Sequence, residues 1–169
     1  MKKSIYKIMI LCIVVVTFTN CDDDNNTSTR SANKIEVSID NGALISYSTN
    51  ILAKDYPVAP TSGFSCLFKI TSADASNNIF TLNLGQTVIA CPFQLVTPTT
   101  ATLTGPQVGA LSIQGVDIDY SNAGNSITFN YQLFGANPGD DIKITFSGTY
   151  FDSLGNSHPI SGDIDIDRS

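Results

Sequence analysis

From Lys34 onward the chain alternates between apolar and polar residues. Ile35, Val37 and Ile39 are interleaved with Lys34, Glu36, Ser38 and Asp40, the period of two expected of a half-buried strand. Asn41-Gly42 follows, a dipeptide suited to the two positive-φ positions of a type I′ turn. Ala43 to Ser48 returns with Ile45 and Tyr47 in phase, which predicts a hairpin over 34–48. Pro57, Pro60 and Gly63 exclude a central strand in the next stretch, and Asn50 to Tyr56 is compatible with a short helical turn. Phe64, Cys66, Phe68 and Ile70 mark another strand. Residues 71–78 form a loop into a strand at Ile79 to Leu84, and Gly85-Gln86 is expected to turn into Thr87 to Cys91. Pro92 interrupts, leaving Phe93 to Val96 as a short edge segment.

The second half repeats this logic. Thr100 to Thr104 and Val108 to Gln114 are short segments bounded by Gly or Pro, and Val116, Ile118 and Tyr120 alternate with Asp117 and Asp119. Ile127, Phe129, Tyr131 and Leu133 form one face of a longer strand. Ile142, Ile144, Phe146, Gly148 and Tyr150 form another, and Ile160, Gly162, Ile164 and Ile166 close the chain. Nine to eleven short strands at regular spacing, without an amphipathic helix, predict an all-β fold. The expected form is a two-sheet antiparallel β-sandwich of Ig-like architecture, with a small β-barrel as the alternative. Kinship with immunoglobulins is not implied, since the chain has no Trp.

Ahead of this domain the pattern is different. Lys2, Lys3 and Lys7 precede an apolar run from Ile8 to Phe18, the form of an export signal. The run is about half the roughly 20 residues needed to span a bilayer. Cys21 sits where cleavage would fall and is followed by Asp22, Asp23 and Asp24. This arrangement resembles a bacterial lipoprotein signal, departing from the usual box at Phe18, where Leu is common, and at Asn20, where Gly, Ala or Ser is. The acidic run resembles the export segment of surface lipoproteins of the Bacteroidota. The closing stretch 139–168 contains TFSGT, a D-x-x-GN turn, a returning ISG and a basic residue near the end. It is similar to the last hairpin of uncharacterised lipoproteins of that group. The resemblance implies a signal peptide over 1–20, a diacylglycerol thioether on Cys21 and an outer-membrane, surface-facing location. It implies no catalytic residue. Residues 21–33 then read as the lipidated Cys and a flexible acidic tether, of about 20 Å root-mean-square reach, and residues 34–169 as one β domain. A plain secretory signal is the alternative for the leader.

Charge narrows the partners. The precursor carries a net −6; without Lys2, Lys3 and Lys7, six Lys/Arg face fifteen Asp/Glu, a net −9. That balance argues against nucleic acid and anionic headgroups, which need basic patches. Fourteen of the fifteen acids are Asp, a bias toward turns over helices.

Few residues suggest chemistry. With Cys12 in the leader and Cys21 lipidated, Cys66 and Cys91 are the remaining thiols, and an exported domain with two cysteines suggests a disulfide; two buried free thiols are the alternative. Asp163, Asp165 and Asp167 share one face of the last strand, and Asp117 and Asp119 share another. Hard cations want several oxygens together, but carboxylates two apart on a strand stand about 7 Å from each other, so a calcium site would need help from Asp140, Asp141 or Asp152. The bland reading is a solvated face that discourages edge aggregation. His158, the one histidine, reads as a surface turn residue, and no G-x-S-x-G, Walker or G-x-G-x-x-G motif accompanies it. Tyr47, Tyr120, Tyr131 and Tyr150 fall on apolar faces, leaving Leu67, Phe134 and Phe151 out of phase as candidates for an exposed patch.

These readings imply a surface-tethered, non-enzymatic module that uses no cofactor. It would contact the membrane through its lipid and bind a glycan or a protein, or serve as a subunit of an envelope assembly. A hydrolase of extracellular polymers using Asp117 and Asp119, and a calcium-stabilised structural domain, are the alternatives.

Overall fold

The computed structural model describes residues 32–58, 66–86 and 91–169. The leader, Cys21, Asp22, Asp23, Asp24 and most of the tether lie outside the described residues, as do Phe64 and Thr87 to Ala90. Ten strands are present among the described residues: β1 Lys34–Ile39, β2 Ile45–Tyr47, β3 Thr49–Pro57, β4 Cys66–Ala73, β5 Ile79–Gln86, β6 Thr99–Thr104, β7 Leu111–Ile113, β8 Ser126–Phe134, β9 Asp141–Phe151 and β10 Ser157–Asp167. They form a six-stranded sheet in the order β2-β1-β10-β9-β8-β6 and a four-stranded sheet in the order β3-β4-β5-β7. Neighbours are antiparallel throughout. Neither sheet closes on itself, so the molecule is a β-sandwich and not a barrel.

Alternation explains the core. Ile35, Val37, Ile127, Phe129, Ile142, Ile144, Phe146, Ile160, Ile164 and Ile166 point inward from the larger sheet, and Phe68, Ile70, Phe80 and Leu82 from the smaller one. Aromatic rings join the layers: Phe80 lies 5.7 Å from Tyr47 and 6.4 Å from Phe146, and Phe68 lies 5.0 Å from Phe134. Gly162 interrupts the isoleucines of β10 for a steric reason. A Cβ there would stand 2.3 Å from the Phe146 ring and 2.6 Å from the Glu36 carbonyl, so the absent side chain makes the space for Phe146.

Several elements differ from the sequence expectation. The first turn is centred on Asp40 and Asn41, both at φ 54°, with the Gly42 N–H donating to Ile39 O at 2.8 Å. Asp tolerates the left-handed region, and the Asp40 N–H is tied to Pro159 O, so the turn falls one residue early. Asn50 to Tyr56 is strand β3 and not a helical turn; as an edge strand it tolerates Pro57 at its end and a register shift between Thr49 and Leu52. Gly85-Gln86 continues β5, because the ladder to β4 runs through Leu67↔Gly85 and Cys66↔Gln86. Phe93 to Val96 forms no strand, and Phe93 is instead a buried plug. Within Val108 to Gln114, a 3-10 turn at Gly105–Ala110 leaves only three residues for β7.

Two corrections concern side-chain phase. An extra residue in β8 shifts the register with β9 between Tyr131 and Leu133. A bulge of this kind reverses the faces beyond it, so Leu133 is 45 % exposed and Phe134, expected outside, is 7 % exposed. The stretch 116–120 is a loop, not a strand. Its polar backbone is satisfied locally: Asp119 accepts from Ser121, the Asp119 N–H donates to Phe151 O, and buried Asn125 donates to Asp119 O while accepting from the Phe151 N–H. Tyr120, expected in the core, is 37 % exposed. Leu67 and Phe151 are half-buried.

The chain end is held by Arg168, which is 3 % exposed. It continues the inward phase of Ile160, Ile164 and Ile166, and so carries a guanidinium between the layers. Its Nη2 pairs with Asp55 Oδ2 at 2.5 Å, while Nη1 donates to Gly135 O at 2.6 Å and Phe93 O at 3.1 Å. The charge also lies 4.6 Å from the centre of the Phe68 ring. Arg168→Ala leaves the Asp55 carboxylate and two carbonyls without this partner, and removing one member of a buried pair costs about 3–5 kcal/mol. Thermal or urea denaturation should register that loss. Arg168→Lys should recover only part of it, because one ammonium cannot reproduce the planar fork.

Candidate functional site

Residues capable of chemistry gather at the two ends of the sandwich. At the Arg168 end, Cys66 at the start of β4 and Cys91 form a disulfide with Cα atoms 5.1 Å apart. Asp55 Oδ1 accepts from the Phe93 N–H at 2.8 Å and lies 3.5 Å from Cys66 Sγ. A disulfide sulfur has no proton, so the latter is a contact and not a hydrogen bond. The donor atoms of Asp55, Cys66 and Cys91 lie within 4.8 Å of one another, but with the sulfurs bonded together no thiolate is present to take a metal.

The opposite end is built from turns. His158, near the start of β10, stacks on Tyr150 with ring centres 5.1 Å apart. Its Nδ1 lies 3.0 Å from Asp40 Oδ2, in the β1–β2 turn, and its Nε2 lies 3.3 Å from Asp152 Oδ2, in the β9–β10 turn. His158 is therefore more than a surface turn residue: it is 25 % exposed and connects two turns. Both nitrogens face carboxylates, which only the doubly protonated imidazolium can satisfy by donating twice. The hydrogen bond to Asp40, then that to Asp152, raise the His158 pKa. Asp152 also accepts from the side chain and backbone N–H of Asn156 and from the Leu154 N–H. Its pKa is held down to about 2, with the Asn156 side chain the largest cause.

Asp117 accepts from the Ser153 N–H and, at 2.5 Å, from its Oγ. Asp119 instead folds onto Ser121. The two carboxylates thus lie in a loop and serve separate turns, not one strand face as expected. Among the described residues no serine hydroxyl is hydrogen-bonded to His158. A shallow cleft of about 330 Å³ lies between Ile39, Val116, Asp117, Tyr150, Asp152 and His158.

The three acids of β10 do share the outer sheet face, and each has its own surroundings. Asp163 is paired in register with Glu36 and Thr145; partial burial, then Asp165 and Glu36, raise its pKa. Asp165 lies between Lys34 and Lys143, 3.8 Å from the Lys143 Nζ. Asp167 accepts from Asn33 at 3.0 Å. Asp140 accepts from the backbone and side chain of Asn137, so it turns toward its own loop and away from these acids. Asp141 stands beside Asp167 in the ladder.

Sequence reasoning missed the Asp40–His158–Asp152 bridge and the Arg168–Asp55 pair. The phase of Arg168 with the isoleucines of β10 was the available signal for the second. Nothing local marked the first, whose members are separated by up to 118 residues. Comparison with protein-family models, with curated proteins and with solved structures finds no match.

The bridge makes stability depend on pH. Because the folded pKa of His158 is raised, its contribution is fully present below about pH 6.5 and disappears as pH rises through the higher folded value. Asp152 works in the other direction, contributing above its ordinary value near 3.8 and losing effect only as pH falls toward about 2. An NMR titration of the single imidazole should give a midpoint above 6.5, and Asp40→Asn should lower it. An unshifted midpoint in the wild type would remove the bridge.

Proposed function

We propose that this chain is a lipid-anchored lipoprotein of the outer membrane, facing outward, whose β-sandwich binds a glycan or protein or acts as a subunit of an envelope assembly without enzymatic chemistry. The observation that carries this reading is the leader: a basic, then apolar segment ending at Cys21, followed by twelve residues before the domain, eleven of them polar and the first three Asp22-Asp23-Asp24. The geometry is compatible with it. Asn33 is bound to Asp167 at the Arg168 end, so the tether would enter there. The turns carrying Asp40, Asp117, Asp152 and His158 lie at the opposite end, clear of the tether's entry, where they could meet a partner.

The hydrolase alternative has less support, because it relied on Asp117 and Asp119 acting across a groove. Both are engaged as turn acceptors. The calcium alternative relied on Asp163, Asp165 and Asp167, whose near neighbours include two lysines.

Replacing Cys21 with Ser should move the protein from the membrane fraction to the soluble fraction, and protease accessibility of intact cells expressing the wild type should place the domain outside. Retention of Cys21→Ser in the membrane would sink the anchor reading. Glycan arrays and capture of surface proteins by the released protein then test binding, and silence from both would leave the assembly role.

A further inference from the structure

Charge is distributed very unevenly over this acidic molecule. No Asp, Glu, Lys, Arg or His occurs among the 42 residues from Ala75 to Val116, nor from Tyr120 to Gly139. These stretches supply β5, β6, β7 and β8, which form one lateral side of the sandwich. That side ends in β6, an edge strand of sequence TTATLT that is mostly exposed.

Edge strands invite pairing with another chain and are normally blunted by shortness, charge, proline or bulges. Three edges here are blunted. β2 and β7 have three residues each, and β3 carries Lys54, Asp55, a terminal Pro57 and a register shift. β6 has none of these devices: its six residues pair with β8 in unbroken register. The direction of its free groups follows from its end. The Gly105 N–H points to β8 territory, donating to Asn125 O, whereas the Thr104 N–H points away and donates to the Gln107 side chain. Backbone groups alternate along a strand, so those of Thr100 and Thr102 also point away from β8, where no other strand pairs with β6 among the described residues.

We propose that two copies of this chain pair antiparallel through β6, around a two-fold axis at Thr102, to make one continuous twelve-stranded sheet. The two Thr102 residues then exchange both N–H···O bonds, and Thr100 stands opposite Thr104 of the second copy. Ala101 meets Leu103. The side chains are self-complementary: Thr–Thr contacts across strands are favourable, and one already exists within the molecule, where Thr102 Oγ1 lies 2.9 Å from Thr128 Oγ1. A second copy is the occupant that the charge favours. Two processed copies, each of net −9, repel, and here they meet along an edge strand that carries no charge. Pairing in this sense sends the two Asn33 ends in opposite directions. A tether of twelve residues, about 40 Å at full extension, lets both copies reach one membrane with their strands lying along it. The pairing itself rests on the edge and not on the anchor.

Sedimentation velocity over a concentration series tests this on the protein carrying Cys21→Ser, so that no lipid drives association. Reversible dimerisation is expected. Thr102→Lys and Thr102→Asp each place like charges across the axis and should shift the midpoint upward by more than about tenfold. An equimolar mixture of the two should dimerise again, with an unchanged thermal unfolding profile showing that the fold is intact. The wild type offers a reading that needs no variant: amide exchange at Thr102 should slow as concentration rises, while exchange at Ile45 in β2 stays constant. A monomer at every concentration, a dimer indifferent to both charges, or a mixture that stays monomeric would each overturn the proposal. So would Thr102 exchange that does not depend on concentration.

Discussion

One guanidinium sets the terms for this sandwich. Taking an arginine out of water costs several kcal/mol unless its donors and charge are met, and Arg168 is met on every side. The Asp55 carboxylate comes from β3, the carbonyls from the Phe93 segment and the β8–β9 loop, and the ring face from Phe68 of β4. Both sheets and two connections therefore converge on one side chain. The backbone repeats the closure: the Arg168 N–H donates to Asp140 O, Gly139 donates to Arg168 O, and Ser169 exchanges hydrogen bonds with Ala53. Such a pair adds little net stability compared with an apolar filling of the same volume. Its effect is on choice, because a sheet packed in another register would bury the charge without partners.

The disulfide acts on the same end by a different route. Cys66 and Cys91 are 25 residues apart, and closing a loop of that length removes unfolded-state freedom worth about 3–4 kcal/mol in the chain-entropy model. It brings the segment after β5 back to the start of β4, where Phe93 packs 6.0 Å from Phe68 and offers its carbonyl to Arg168. The covalent link reduces the cost of placing Phe93, and Phe93 in turn satisfies the guanidinium. Among the described residues the far end has no covalent link and depends on Asx-type turns and one imidazolium, so its cohesion changes with pH while that of the Arg168 end does not draw on a histidine.

Most strands were legible in the sequence because their inward residues repeat at a period of two over five or more positions, as in β8, β9 and β10. Legibility failed where another demand overrode the period. Val116, Ile118 and Tyr120 alternate as a strand would, yet Asp119 and Asn125 take up the backbone groups that a ladder would have used. Beyond Tyr131 one extra residue reversed the phase, and no local signal distinguishes Leu133 from Phe134 as the one to be buried. The acids of 117 and 119 looked like a pair only because the stretch looked like a strand. Arg168 stood in phase with the core, but charge argued against burial until its partners, dispersed from Asp55 to Gly135, were assembled by the fold.

A common constraint underlies the uneven charge. Asp is abundant here because the turns use its carboxylate as a local acceptor: Asp74, Asp119, Asp140 and Asp152 each cap backbone N–H groups within a few residues. Those turns lie at the ends of the strands, so the negative charge accumulates at the ends and on the β1–β10 face, where Lys34 and Lys143 balance part of it. The strands β5 to β8 themselves carry no charged side chain. An edge without charge is a hazard in a monomer, since nothing repels a second strand. Its persistence beside three blunted edges is accounted for if that edge is covered by a like one, with hydroxyls matching hydroxyls and the repelling ends of the molecule kept away from the contact.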